Sequence, residues 1–194
     1  ATAITIDSAE NVGIGVVPES WASGYTGLQI GGSGSIMSNG SSTYYSENYY
    51  YDGTDKYITT NEATTIVQAN GKHQFLVAPS GSADAAISWT NALEITNDGN
   101  VGIGRSPLAL LHLQATVPEI RFTYTGNSGY ANIKADASSE LIFSTGTTTG
   151  TERMRIDSAG RVTMPNQPIA SASDSRALSL STPVLTSSNF YNSV

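Results

Sequence analysis

Leu93-Glu-Ile-Thr-Asn-Asp-Gly-Asn-Val-Gly-Ile-Gly-Arg-Ser-Pro107 is the stretch on which the reading of this chain turns. Leu93, Ile95, Val101 and Ile103 alternate with Glu94, Thr96, Gly102 and Gly104, the period of two that marks β-strands. Between the two arms, Asn97-Asp98-Gly99-Asn100 supplies residues that accept φ > 0, as a tight hairpin turn requires. The phrase occurs again as Ile4-Thr-Ile-Asp-Ser-Ala-Glu-Asn-Val-Gly-Ile-Gly-Val-Val-Pro18, and in shortened form as Met154-Arg-Ile-Asp-Ser-Ala-Gly-Arg-Val-Thr-Met-Pro165. The third copy keeps the turn glycine, Gly160. The first has Glu10 in its place with Asn11 next to it, which predicts a turn shifted onto Asn11. The glycines after each Val bare one strand face and predict a close backbone approach, for instance near a symmetry axis. A repeated strand-turn-strand unit that cannot bury its own face implies stacking or assembly. The copies are unequally spaced, so the pattern predicts matching joints with different inserts rather than a uniform solenoid.

The inserts follow the same grammar. Gly31–Gly34 and Ser38–Ser42 read as loops, and the block from Tyr44 to Tyr57 holds six of the ten tyrosines. Asp52-Gly53 predicts a turn between two Tyr-rich strands. Thr64–Ala69, Asn70-Gly71 and His73–Ala78 form a further strand, turn and strand. Pro79–Ser82 reads as a break, which makes Gly81 a loop residue, before Ala86–Thr90 leads into the next joint. Further on, Leu110–Leu113, Glu119–Tyr124, Ala131–Lys134 and Glu140–Phe143 read as strands. The pattern holds no amphipathic helix of three turns, although Pro107-Leu-Ala-Leu-Leu111 has room for a single turn. The expected class is all-β.

Composition narrows the function classes. Of 194 residues, 39% are hydrophobic, 13% are charged and 19 are Gly. That balance suits short strands sharing a core with neighbouring subunits better than a dense helical core or a charged disordered tail. The net charge of −7 comes with no Lys/Arg cluster, which excludes a nucleic-acid binder. Cys is absent, so disulfides and thiolate metal sites are excluded. No apolar run approaches the roughly 18 residues that span a bilayer, and membrane insertion is not expected. The chain opens at Ala1 inside the first repeat, so a segment of a longer protein is expected.

Few residues invite chemistry. Asp136, Glu140 and Glu152, or Asp52 with Asp55, would be the candidates for the paired carboxylates of glycoside cleavage. Isolated acids in turns more often serve as surface solubilisers, so no catalytic residue is assigned. His73 and His112 lack partners at metal-ligand spacing, and no metal or cofactor is expected. Gly13-Ile-Gly15 and Gly102-Ile-Gly104 lack the helix and Lys of a phosphate loop. Arg153 and Arg155 beside Asp157 read as exposed strand charges or inter-subunit pairs. The tyrosines are the binding candidates. Tyr44, Tyr45, Tyr49, Tyr50 and Tyr51 would offer flat rings with hydroxyls for stacking on a receptor. The competing reading is that they are good strand residues whose rings pack between subunits.

Taken in order, the phrases Tyr50–Thr60, Asn70-Gly71, Ala78–Gly81, Ala86–Thr90, Asn100–Gly104 and Thr151–Gly160 resemble the repeating modules of tailed-bacteriophage tail fibres. Met164–Pro168 and Thr182–Val194 are similar to the start of a trimeric jelly-roll head of the complement globular type. The resemblance implies an elongated, parallel homotrimeric shaft, β-prism or β-helix-like, carrying small β modules and presenting a receptor-binding tip. On that reading residues 1–18 end an upstream repeat and 19–107 form a shaft module with the Tyr-rich insert. A second module would span 108–165, and 166–194 a linker and the start of the head. The implied partners are two further copies, other tail or baseplate proteins through flanking sequence, and a host surface glycan or protein. The implied location is the virion tail, outside the cell. Two other readings stand beside it: a bacterial adhesive filament and a tail-associated polysaccharide depolymerase.

Overall fold

The computed structural model describes residues 3–123, 129–147 and 150–165. The stretch 166–194, expected to begin a head domain, lies outside the described residues. Among those described, every regular element is a strand and none is a helix, the segment from Pro107 to Leu110 included. The chain divides into two compact units, Ala1–Gln114 and Ala115–Val194.

The first unit contains β1 (Ile4–Ile6), β2 (Val12–Ile14), β3 (Thr26–Ile30), β4 (Gly34–Ser38), β5 (Ser42–Glu47), β6 (Tyr50–Tyr51), β7 (Asp55–Lys56), β8 (Asn61–Ala69), β9 (Lys72–Gly81), β10 (Thr90–Ile95), β11 (Val101–Ile103) and β12 (Leu111–Leu113). All but β6 and β7 form one open ten-stranded sheet in chain order, and those two make a separate hairpin about Asp52-Gly53. The pairing is antiparallel except for β2 with β3 and β11 with β12. Because β1 and β2 belong to this sheet and Leu111–Leu113 pairs with β11, the unit runs from the first residues through Gln114. The expected divisions at Pro18 and Pro107 are therefore absorbed within it.

The three joints share one turn. In the first, Asp7 N–H donates to Asn11 O and Glu10 N–H to Asp7 O, while Asp7 Oδ1 accepts from the N–H groups of Ala9 and Asn11, both at 2.9 Å. Asp157 organises the third in the same way, and in the second Thr96 Oγ1 accepts from Asn100 N–H while the backbone pattern is kept. This is a type I turn closed by one left-handed residue. That residue is Glu10 at φ 66°, Gly99 at 81° and Gly160 at 80°. The predicted shift onto Asn11 does not occur, because Asn11 is needed elsewhere. Its buried side chain donates to Asp7 and accepts from Gly27 N–H at 2.9 Å. A fourth turn of this kind, absent from the repeat reading, spans Asp136–Glu140 with Ser139 at φ 61°.

The glycine after Val serves a close approach within the chain rather than at a symmetry axis. A Cβ on Gly13 would strike Val16 O and Pro18, and one on Gly102 would strike Arg105 O and Pro107. The chain folds back over the glycine, and the parallel strand that follows brings a polar side chain opposite it. Gln29 accepts from Glu19 N–H at 2.8 Å, and His112 Nδ1 accepts from Leu108 N–H at 3.1 Å. Each satisfies the first amide after the proline, which would otherwise lack a partner.

One sheet face is covered by aromatic side chains. Trp21, Met37, Tyr49 and Tyr50 form its main buried cluster, and Tyr57, Ala63 and Ala78 a second. Strand β9 continues through Pro79 to Gly81, correcting the predicted break; the ladder slips there by a bulge that tolerates the missing N–H. Gly81 is not a loop residue either. The Tyr57 ring lies on it, its hydroxyl donating to Pro79 O at 2.6 Å.

Among the described residues, the second unit holds one five-stranded antiparallel sheet in chain order. Its strands are β13 (Glu119–Thr123), β14 (Tyr130–Ala135), β15 (Leu141–Gly146), β16 (Thr151–Ile156) and β17 (Val162–Thr163).

Candidate functional site

Register converts the alternation within strands into one continuous row. Ile6, Val12, Leu28, Ile36, Tyr45, Ile66, Phe75, Leu93, Ile103 and Leu113 are successive cross-strand partners, one from each strand of the ten-stranded sheet. Every member is apolar or aromatic, and none is fully buried by its own chain, Val12, Leu28, Leu93 and Leu113 being half-buried. Ile6 remains 68% exposed, and Ile36, Tyr45, Ile66, Phe75 and Ile103 are also exposed. Ile4, Ile14, Ile30 and Val77 widen the band, and an open hollow of about 590 Å³ lies at its middle. The second unit repeats the pattern with Ile120, Ile133, Phe143 and Met154 in register; Phe122 beside them is 60% exposed. Contiguous apolar surface on this scale marks an interaction site. The apolar positions of the first two joints supply it in the first unit, and those of the third joint in the second.

The opposite face of the large sheet is furnished quite differently. The tyrosines proposed as a stacking surface separate there by burial. Tyr49 is 3% and Tyr50 5% exposed, so neither is available to stack on a receptor. Tyr45 is exposed, but it points to the apolar row. Tyr44 and Tyr51 are half-buried around a small hollow, together with Tyr25 and Trp89, which the sequence reading did not single out. Hydrogen bonds fix this side. Asp55 accepts from Tyr49 Oη at 2.7 Å and from Trp89 Nε1 at 3.0 Å, while Asp84 accepts from Tyr50 Oη at 2.7 Å. Burial, reinforced by those carboxylates, raises the phenol pKa of both Tyr49 and Tyr50. Asn48, buried and left-handed at φ 57°, ties the block to the following segment through the backbone of Thr59, Asn61 and Glu62.

Among the described residues of the first unit, Glu94 is the one fully buried carboxylate, at 1% exposure. It accepts from Lys72 Nζ (3.1 Å), Gln74 Nε2 (3.1 Å), Asn91 Nδ2 (2.9 Å) and Ser106 Oγ (2.9 Å). Burial opposes ionisation, but the donors prevail and hold its pKa below the usual glutamate value. Its place opposite Gly102 makes it a brace for the second joint.

The acids weighed for hydrolysis are committed elsewhere. Asp136 organises its turn, and Glu140 and Glu152 clamp Arg155 through ion pairs of 2.6 Å each. Asp157 pairs with Arg161 at 2.7 Å. Asp52 is paired with Lys56 at 2.6 Å. His73 lies on the apolar-row face, paired with Ile95, and His112 is the amide acceptor described above. Gly99 and Gly160 both occupy the left-handed turn position expected of them. No known protein-family model matches the chain, and a search of curated proteins finds no relative.

Proposed function

We propose that this chain is a non-enzymatic structural segment of an all-β fibre built from three parallel copies, their apolar sheet faces turned inward. The observation that supports this most is the ten-residue apolar row, one residue per strand, which the chain itself leaves in contact with solvent. An open sheet with such a face gains most by packing against copies of itself, because the hydrophobic drive is proportional to the apolar area withdrawn from water. The engagement of Glu140, Glu152 and Asp136 in ion pairs and turns supports a structural role over a hydrolytic one.

The resemblance of the repeated phrases to tail-fibre modules sets the biological reading. The segment is a shaft of a phage tail fibre that presents a receptor-binding tip, joined through flanking sequence to other tail or baseplate proteins, on the virion. Imaging native particles with an antibody to this chain tests the setting. Label along fibres of a virion is the expected result; label on bacterial surface filaments would transfer the same architecture to a cellular adhesive protein.

A further inference from the structure

We propose that the hollow between Tyr25, Tyr44, Tyr51 and Trp89 is a binding site for a neutral saccharide unit. It encloses about 250 Å³ on the aromatic-covered face of the large sheet, with Asp55 and Gln74 among its walls. That face lies opposite the apolar row, so the site stays open if the rows are buried between copies. The inference rests on the fibre reading only in expecting several identical sites on one particle.

The chemistry of the walls selects the ligand class. Four half-buried rings present apolar faces at differing tilts: Tyr25 and Tyr51 are 4.9 Å apart at 43°, and Tyr25 and Tyr44 are 6.4 Å apart at 48°. Such faces suit the C–H side of a pyranose ring. Polar groups sit between them. Asp55 already holds Tyr49 and Trp89, yet a carboxylate has further lone pairs for sugar hydroxyls. Gln74 is pinned by its amide nitrogen to Glu94, which leaves its carbonyl oxygen as an acceptor. Tyr25 is held by Asn39 at 3.0 Å. The site is therefore pre-organised, which lowers the entropic cost of binding a small flexible ligand. A peptide anchor would want a deeper apolar slot. A quaternary ammonium would be drawn to the rings, but it has no N–H or O–H for the Gln74 carbonyl, and Asp55 already accepts from Tyr49 and Trp89; sugar hydroxyls supply the missing donor.

The test is a titration of the purified, assembled chain, followed by Trp89 fluorescence. The probes are the methyl glycosides of glucose, galactose, mannose, rhamnose and N-acetylglucosamine, with choline as a cationic control. At least one glycoside should give a saturable change with a Kd on the order of 1 mM. Trp89→Phe assigns the signal to this indole rather than to Trp21, and Tyr51→Leu, which keeps apolar volume but loses the ring, should weaken binding about tenfold or more. Asp55→Asn serves as a second variant if Tyr51→Leu melts early. No response to any glycoside, a response to choline alone, or undiminished binding by both variants would overturn the proposal. Sedimentation of the same samples separates the two readings: an assembled chain that binds no sugar contradicts only this site, and a monomer that binds sugar contradicts only the fibre.

Discussion

The two faces of the ten-stranded sheet have nearly opposite fates. One is closed by the chain's own Trp21, Tyr49, Tyr50 and Tyr57, with hydroxyls anchored on Asp55, Asp84 and Pro79 O. The other carries an unbroken apolar row that the chain leaves exposed or half-buried. A monomeric sheet of this size would normally alternate apolar-in with polar-out. Here the covered face takes in polar residues such as Gln29, Ser35, Thr65 and Glu94 beside Met37, Ala63, Val67 and Ala78, while Ile36, Ile66 and Phe75 on the other face are exposed. The arrangement makes sense if the second face has its core in other copies.

The sharpest way to break this comparison is a charge in the middle of the row. Ile66→Lys places an ammonium where copies would meet, and burying an unpaired charge costs several kcal/mol per chain. We expect loss of assembly with the strands intact by circular dichroism. Were the face simply solvent-exposed, the same change would stay within about 0.5 kcal/mol and leave the sedimentation profile unchanged.

The covered face predicts the reverse behaviour. Tyr49→Ala should cost about 3–5 kcal/mol, measured by denaturant unfolding, because it empties a packed site, takes one of two donors from Asp55 and removes the ring packed edge-on against Trp89. A loss under about 1 kcal/mol would mean that this face is not the chain's own core. Gly81→Val sits on the same face and drives a side chain into the Tyr57 ring, an overpacking of about 1–3 kcal/mol or more. Gly99→Val meets open space and pays only for its left-handed backbone, about 1–2 kcal/mol. The melting temperature should therefore fall further for Gly81→Val, and the opposite ranking would show that Tyr57 does not pack there.

Equivalence of the joints is tested by exchanging their turn residues. Glu10→Gly should stabilise by about 0.5–1 kcal/mol and Gly99→Glu destabilise by a similar amount, since both positions have φ > 0. A destabilising Glu10→Gly would mean the first turn differs from the others. The smallest effect is the titration of Glu94. Its folded pKa lies below the unfolded value near 4.5, so its stabilisation is complete above that pH. It is lost as pH falls through the folded value. Glu94→Gln should melt lower at neutral pH and show a shallower decline on acidification than the parent; parallel declines would assign the acid sensitivity to the turn aspartates instead.

Much of this was legible in the chain. Alternation around Leu93–Ile103, Asp52-Gly53 and Asn70-Gly71 located hairpins the structure contains, because period and turn chemistry are local. What failed was long-range. Gly81 read as loop because the Tyr57 ring that covers it lies far off in sequence, and Pro79 read as a break because a bulge is a property of two strands. The tyrosines looked alike, yet register and loop closure sent Tyr45 to one face, Tyr49 and Tyr50 into the core, and Tyr44 and Tyr51 to its edge. Trp89 stands well beyond Tyr57 in sequence, and only the fold brings its indole to the Tyr-rich block as a pocket wall. The apolar row is likewise a consequence of register, invisible until strands are paired.

The central claim is that the apolar faces are buried between three copies. Sedimentation equilibrium of the purified chain at low-micromolar concentration measures it directly. The account predicts a single species near three times the 20.3 kDa chain mass, with no folded species of one chain mass. A stable, folded species of one chain mass under those conditions would contradict it.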